Sequence, residues 1–198
     1  TLCTRLRPDG NMHEESLGAD IRDYLTGEEI EETSYEEFRQ ALAKLLVEER
    51  GYPRERLAAK IGVCFPVDGQ DYTRMVDLAV SDEQGTPVML VLFCSGEPGS
   101  YVREAVAACR LIKNGPAPLA LVTDTKDAIL AASSSGKVLA SGMRGIPYWD
   151  DLGALAGEHP CPPLGAEAAE RERRILFTYS EFLQNGCCHA FCRPKAAT

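Results

Sequence analysis

Histidine is scarce in this chain, with only His13, His159 and His189 among 198 residues. No Gly-x-Ser-x-Gly elbow is present, and the histidines fall near the ends or in a proline-rich stretch, so triad-type hydrolysis has no support. A P-loop and a Gly-x-Gly-x-x-Gly turn are also missing, which leaves nucleotide binding and helicase-type translocation without a local motif. Long apolar runs are missing too. The longest, Val88 to Cys94, spans seven residues, against roughly 20 needed to cross a bilayer. The first residues, with Arg5, Arg7 and Asp9, lack the apolar stretch of a signal peptide. Basic charge is in short supply as well: 21 Lys and Arg stand against 30 Asp and Glu, a net charge of −9.

What is present points to a soluble globular domain. Apolar residues make up 44% and charged residues 26% of the chain, enough to build one full core at this length. Eight cysteines occur without a framework spacing. Cys64, Cys94 and Cys109 lie in apolar segments and read as small core hydrophobes. The expectation is a cytoplasmic protein with reduced thiols and no membrane partner.

The negative charge is concentrated. Residues 9 to 37 hold eleven acids against Arg22 alone, so that segment carries −10 and the rest of the chain +1. It reads as an acidic, solvated leader over residues 1–33, with an arm that covers a basic surface as the alternative. A near-neutral body is a poor footprint for gripping phosphates.

After the leader, Ser34-Tyr-Glu-Glu37 has the form of a capping box. Phe38, Leu42, Leu45 and Leu46 then fall at helical spacing up to Gly51, predicting a helix over about 34–50. Pro53 can open a short helical turn. Leu57, Ala59, Ile61, Val63 and Phe65 alternate as in a half-buried strand, and Asp68-Gly69 marks a hairpin turn into a strand over Met75 to Val80. Val88 to Cys94, apolar on both faces, predicts a central strand. A helix over Ser100 to Lys113 leads to a strand at Leu119 to Thr123, parallel to the previous one. Ala128 to Ala132 and Lys137 to Ala140 suggest a small hairpin, and Trp149 and Leu152 a short final element. His159-Pro-Cys-Pro-Pro163 is a boundary. A helix over 167–184 follows, basic in its first half and aromatic in its second.

Within this order, the series Asp23 to Gly27, Glu37, Arg39-Gln40, Leu46 to Glu49, Gly51-Tyr-Pro53, Val76 to Val80, Gly85-Thr-Pro87, Leu90 to Cys94, Leu121 to Thr123 and Ile146-Pro147 resembles the N-terminal domain of type I restriction enzyme R subunits. The resemblance implies a PD-(D/E)xK core of restriction-endonuclease-like architecture over residues 34–153. That is an α/β fold with a central mixed sheet flanked by helices. Residues 154–198 would add a proline-rich linker, a C-terminal helix and a cysteine-rich tail.

In that family an aspartate and a Glu-x-Lys converge so that carboxylates hold a divalent cation and the lysine stands by the scissile phosphate. Asp77 matches the aspartate. The Glu-x-Lys positions fall on Phe93-Cys94-Ser95, and neither Phe93 nor Ser95 can supply the required ligand or charge. The family's Gln-x-x-x-Tyr falls on Ala107 and Leu111, and its Thr-Asn-Gly on Thr123-Asp-Thr125. Asp77 is therefore read as vestigial or structural, kept by a hydrogen bond or by nearby Arg74.

The expected function is a non-catalytic nuclease-fold module acting in protein contact, self-association or weak DNA association, without a cofactor. Two alternatives remain open. One is a Mg-dependent endonuclease with migrated residues, for which Glu97, Glu104 and Lys113 are candidates; the bland reading leaves Glu104 and Lys113 on a solvated face. The other is a zinc-stabilised regulatory protein using Cys187, Cys188, His189 and Cys192, with Cys161 or Cys3 completing a tetrahedron. Arg171, Arg173 and Arg174, supplemented by Arg103, Arg110 and Lys113, could meet phosphates, but read first as helix-surface charges paired with Glu167, Glu170 and Glu172.

Overall fold

A computed structural model describes residues 16–183. A small antiparallel hairpin comes first, β1 (Ser16–Arg22) with β2 (Glu29–Thr33). The helix α1 (Ser34–Lys44) continues through a π-helical turn, Leu45–Glu49, and stops at Gly51 with φ 76°, the left-handed geometry that glycine adopts without a Cβ clash. A short helical turn, Arg54–Arg56, begins after Pro53.

The main sheet has six strands in chain order: β3 (Leu57–Val67), β4 (Gln70–Ser81), β5 (Pro87–Phe93), β6 (Leu119–Thr123), β7 (Ala128–Ala132) and β8 (Val138–Ser141). Only β5 and β6 pair in parallel, joined by α2 (Val102–Leu111). The small hairpin expected over 128–140 thus forms two strands of the main sheet, and the short final element is the start of α3 (Trp149–Glu158), which runs beyond residue 153. The C-terminal helix α4 (Ala166–Phe177) extends into a π-helical stretch, Thr178–Leu183. Among the described residues no helix is long and apolar enough to cross a membrane.

Two cores cover the two faces of the sheet, as an α/β/α sandwich requires. Leu90, Leu92, Cys94, Ala120 and Val122 pack with the alanines of α2 and with Leu176 of α4. Met89, Val91, Leu119, Leu121 and Leu130 pack with Leu42 and Leu46 of the first helix and Leu152 of α3. Adjacent positions on β5 and β6 alternate between the cores, which is why both strands read as unbroken apolar runs.

The β3–β4 hairpin changes sides partway along. Leu57 and Ala59 belong to the α1 side, while Ile61 and Val63 belong to the α2 side, although all four share one parity. The changeover falls at Lys60, whose φ is 52°, between the register pairs Ala59–Leu78 and Ile61–Val76. Asp77 lies opposite this twist.

The sequence expectations need correction in detail. The helix cap is Thr33 rather than Ser34: its hydroxyl accepts from the Glu36 amide at 3.1 Å. Part of the expected solvated leader is the β1–β2 hairpin, and Asp23, just beyond β1, is buried. Cys64 projects outward from β3 and is exposed, while Cys94 and Cys109 are buried as expected.

Candidate functional site

The site begins with Asp77 on β4, only 8% exposed. Both carboxylate oxygens are engaged. The Tyr35 hydroxyl, from the first turn of α1, donates to Oδ1, and the Phe93 backbone amide, at the end of β5, donates to Oδ2 at 2.7 Å. Burial pushes the Asp77 pKa up, against these two hydrogen bonds, which favour the charged form. The Tyr35 phenol is pushed up in turn by its own burial and by the Asp77 charge. Arg74 does not hold Asp77 directly; its Nε donates to Glu104 Oε1 at 2.5 Å.

Phe93 shares the face of Met89 and Val91 and turns toward α1. Its ring stacks on Phe38 with centroids 5.1 Å apart and planes 14° from parallel, and meets Tyr35 edge-on at 6.4 Å. An aromatic cluster therefore occupies the position that the resemblance gives to a metal-binding glutamate. Ser95 is exposed in the loop after β5, as is Glu97, and Lys113 is exposed beyond α2. Glu104, expected on a solvated face, is fully buried because α2 turns it toward Arg74 on β4. Ala107 is buried under α2. Thr123 holds the loop after β6 together, donating to the Asp127 carbonyl and accepting from the Thr125 amide.

Beside Asp77 lies a second polar cluster that sequence reading missed. Arg39 is 1% exposed; its guanidinium pairs with Asp23 and donates to Glu36 Oε2 at 2.7 Å. Lys60 pairs with the other Glu36 oxygen and lies over the Tyr35 ring, 5.6 Å from its centroid. Asp23 also accepts from the Leu25 and Thr26 amides at 2.8 Å each. Burial opposes the Asp23 charge, yet the Thr26 amide and the Arg39 guanidinium hold its pKa below the ordinary carboxylate range. The sequence signal was Arg39-Gln40 itself, since Gln40 joins the cluster through its side chain at Asp23 and at the Tyr24 amide.

The five arginines considered for phosphate contact are internally paired. Arg171 meets Glu167 at 2.5 Å, Arg173 meets Glu170 at 3.5 Å, and Arg174 meets Glu170 and Asp68 at 3.0 and 3.1 Å. Glu172 instead reaches across to α2, where it joins Arg103 at 2.7 Å and Arg110 at 2.5 Å. Cys187, Cys188, His189, Cys192 and Cys3 lie outside the described residues. Among the described residues no group of three or more His, Cys, Asp or Glu side chains could hold a metal ion.

The donor set around Asp77 does not fit a Mg²⁺ centre. That ion needs several oxygens in near-octahedral order. Here one carboxylate has both oxygens committed to protein donors, with a phenylalanine beside it.

No curated protein and no solved structure matches the chain. A family model does match, over residues 34–147, more than half of the chain; its description is "Type I restriction enzyme R protein N terminus". With the helix, strands and Asp77 of the resemblance inside that span, this chain belongs to the type I restriction enzyme R protein N-terminal family.

Proposed function

We propose that this chain is a non-catalytic member of its family, a nuclease-fold module that works in protein contact or weak DNA association, in the cytoplasm and without a bound cofactor. The observation that carries this reading is the capture of Asp77. Its two oxygens accept from Tyr35 and from the Phe93 amide, so a metal ion would have to displace both donors from a buried site, leaving them unsatisfied. Phe93 and Ser95 add no ligand and no charge in place of Glu-x-Lys. The internal pairing of Arg103, Arg110, Arg171, Arg173 and Arg174 supports weak rather than strong DNA contact.

Incubation of the full chain with supercoiled, linear and single-stranded DNA in Mg²⁺ or Mn²⁺ tests this. The expected outcome is no cleavage above a metal-free control. Metal-dependent cleavage that is lost in Asp77→Asn or Glu104→Gln would overturn the reading and establish the migrated-site nuclease.

A further inference from the structure

The C-terminal helix is fastened lightly for an element that closes a core. Of α4 only Glu172 and Leu176 are buried, against six residues of α2. Leu176 packs in the core with residues of β3 and α2, Phe177 meets Tyr72 edge-on with ring centroids 4.8 Å apart, and Glu172 joins Arg103 and Arg110. At the rims, Arg174 reaches Asp68 at 3.1 Å and the Tyr179 hydroxyl donates to the Ser100 carbonyl at 3.3 Å. All of these partners lie in the stretch from β3 to the end of α2, and none on α3. The groove and the helix that fills it are therefore built from separate parts of the chain.

What joins them is short and stiff. α3 packs on the α1 face of the sheet and α4 on the opposite face, so residues 159–165 carry the chain from one face to the other. Layers pack about 10 Å apart, which puts helices on opposite faces about 20 Å apart. The linker includes Pro160, Pro162 and Pro163. It reaches about 22 Å at the roughly 3.1 Å per residue of an extended, proline-rich chain. Little slack remains, and among the described residues no backbone hydrogen bond involves residues 160–164.

We propose that α4 is an exchangeable helix: in a pair of copies, each α4 docks in the groove of the other and closes a reciprocal dimer. The proposal deepens the protein-contact part of the proposed function and rests on it. A short hinge without slack invites exchange. Exchange retains the contacts of α4, because their partners all lie in the groove. What changes is the linker, which in the pair runs outward to the neighbour instead of crossing its own sheet. The fit specifies the occupant as a helix with a glutamate four positions before a leucine, set against two arginines and an apolar pocket. Glu172 and Leu176 of a second copy supply that pattern.

Charge reversal gives a test that exchange alone can pass. Glu172→Arg sets the helix against its own Arg103 and Arg110, and the double variant Arg103→Glu/Arg110→Glu sets the groove against its own Glu172. Neither chain matches itself, whether α4 docks at home or on an identical copy. Mixed, each helix meets an opposite groove, so light scattering of the co-refolded full chains should show a heterodimer while each variant alone stays monomeric. The wild type, refolded from urea at about 1 mM, the effective concentration of a short linker, should form the dimer as well. A Gly-Ser insertion of about six residues after Pro163 gives the linker slack and should raise the dimer dissociation constant about tenfold.

A wild type that stays monomeric at that concentration overturns the proposal. So does a mixture of folded variants without heterodimer, a dimer formed equally by either variant alone, or a dimer indifferent to the linker insertion. The wild-type and linker arms leave the groove unchanged, so they decide the matter even where a charge reversal prevents folding. Each of these outcomes leaves the non-catalytic reading standing, whereas metal-dependent cleavage removes that reading without touching the exchange.

Discussion

Replacing Asp77 separates a structural carboxylate from a catalytic one. In Asp77→Ala two donors lose their acceptor, the Phe93 amide and the Tyr35 hydroxyl. A buried donor left unsatisfied costs about 1–3 kcal/mol. Tyr35 is half-buried and can recover some hydration, and loss of the buried charge gives back part of its desolvation, so the net loss should be about 2–4 kcal/mol. In a chain of this size that lowers Tm by on the order of 10 °C.

Asp77→Asn behaves differently. Its carbonyl can still accept from the Phe93 amide while its NH₂ donates to the Tyr35 oxygen, so stability should stay within about 1 kcal/mol of the wild type. The pH dependence has a definite sign. Because burial raises the Asp77 pKa in the fold, the wild type carries no charge penalty at low pH and acquires it as pH rises through the folded value; the advantage of Asn over Asp should grow in that direction. Urea unfolding of Asp77→Ala, Asp77→Asn, Tyr35→Phe and the Ala/Phe double variant provides the measurements. The double variant should be less destabilised than the sum of its singles by about 0.5–3 kcal/mol, since both changes break one contact. Asp77→Ala with wild-type stability would refute the assignment, and so would additive singles.

Two further outcomes are expected. Arg39→Ala leaves buried Asp23 and Glu36 without their guanidinium and should destabilise the fold by about 3–5 kcal/mol, read by chemical denaturation; a loss below about 1 kcal/mol, the range of a surface pair, would contradict the buried triad. Glu172 is held below its ordinary value of 4.5, since Arg103 and Arg110 outweigh the burial that opposes its charge. Its contribution is full above that ordinary value and lost as pH falls through the lowered folded value. Acid should therefore loosen the C-terminal helix, seen as faster proteolysis near residues 159–165, and Glu172→Gln should show the same cleavage at neutral pH.

Much of the fold was legible because burial leaves a periodic trace in a linear chain. Val88 to Cys94 is apolar at every position because β5 lies between two cores, and a helix between it and Leu119 to Thr123 dictates parallel pairing. The aromatic half of the C-terminal helix announced a buried face, and Leu176 is fully buried. The ordered series around Asp77 was enough to indicate the family. What the sequence could not disclose is which charges find each other across the fold. Glu104 and Arg74 are thirty positions apart, Glu172 and Arg110 sixty-two, and Tyr35 and Asp77 forty-two.

Local spacing carries no record of such pairs, so a buried glutamate on a helix looks the same as a solvated one. The opening observations, too little basic charge and no catalytic motif, bounded the chemistry from composition alone. Only the tertiary structure decided that Asp77 is held by a tyrosine and a backbone amide, and that Phe93 stacks on Phe38 beside it. Burial makes those distant contacts energetically decisive, and burial is a property of the folded chain.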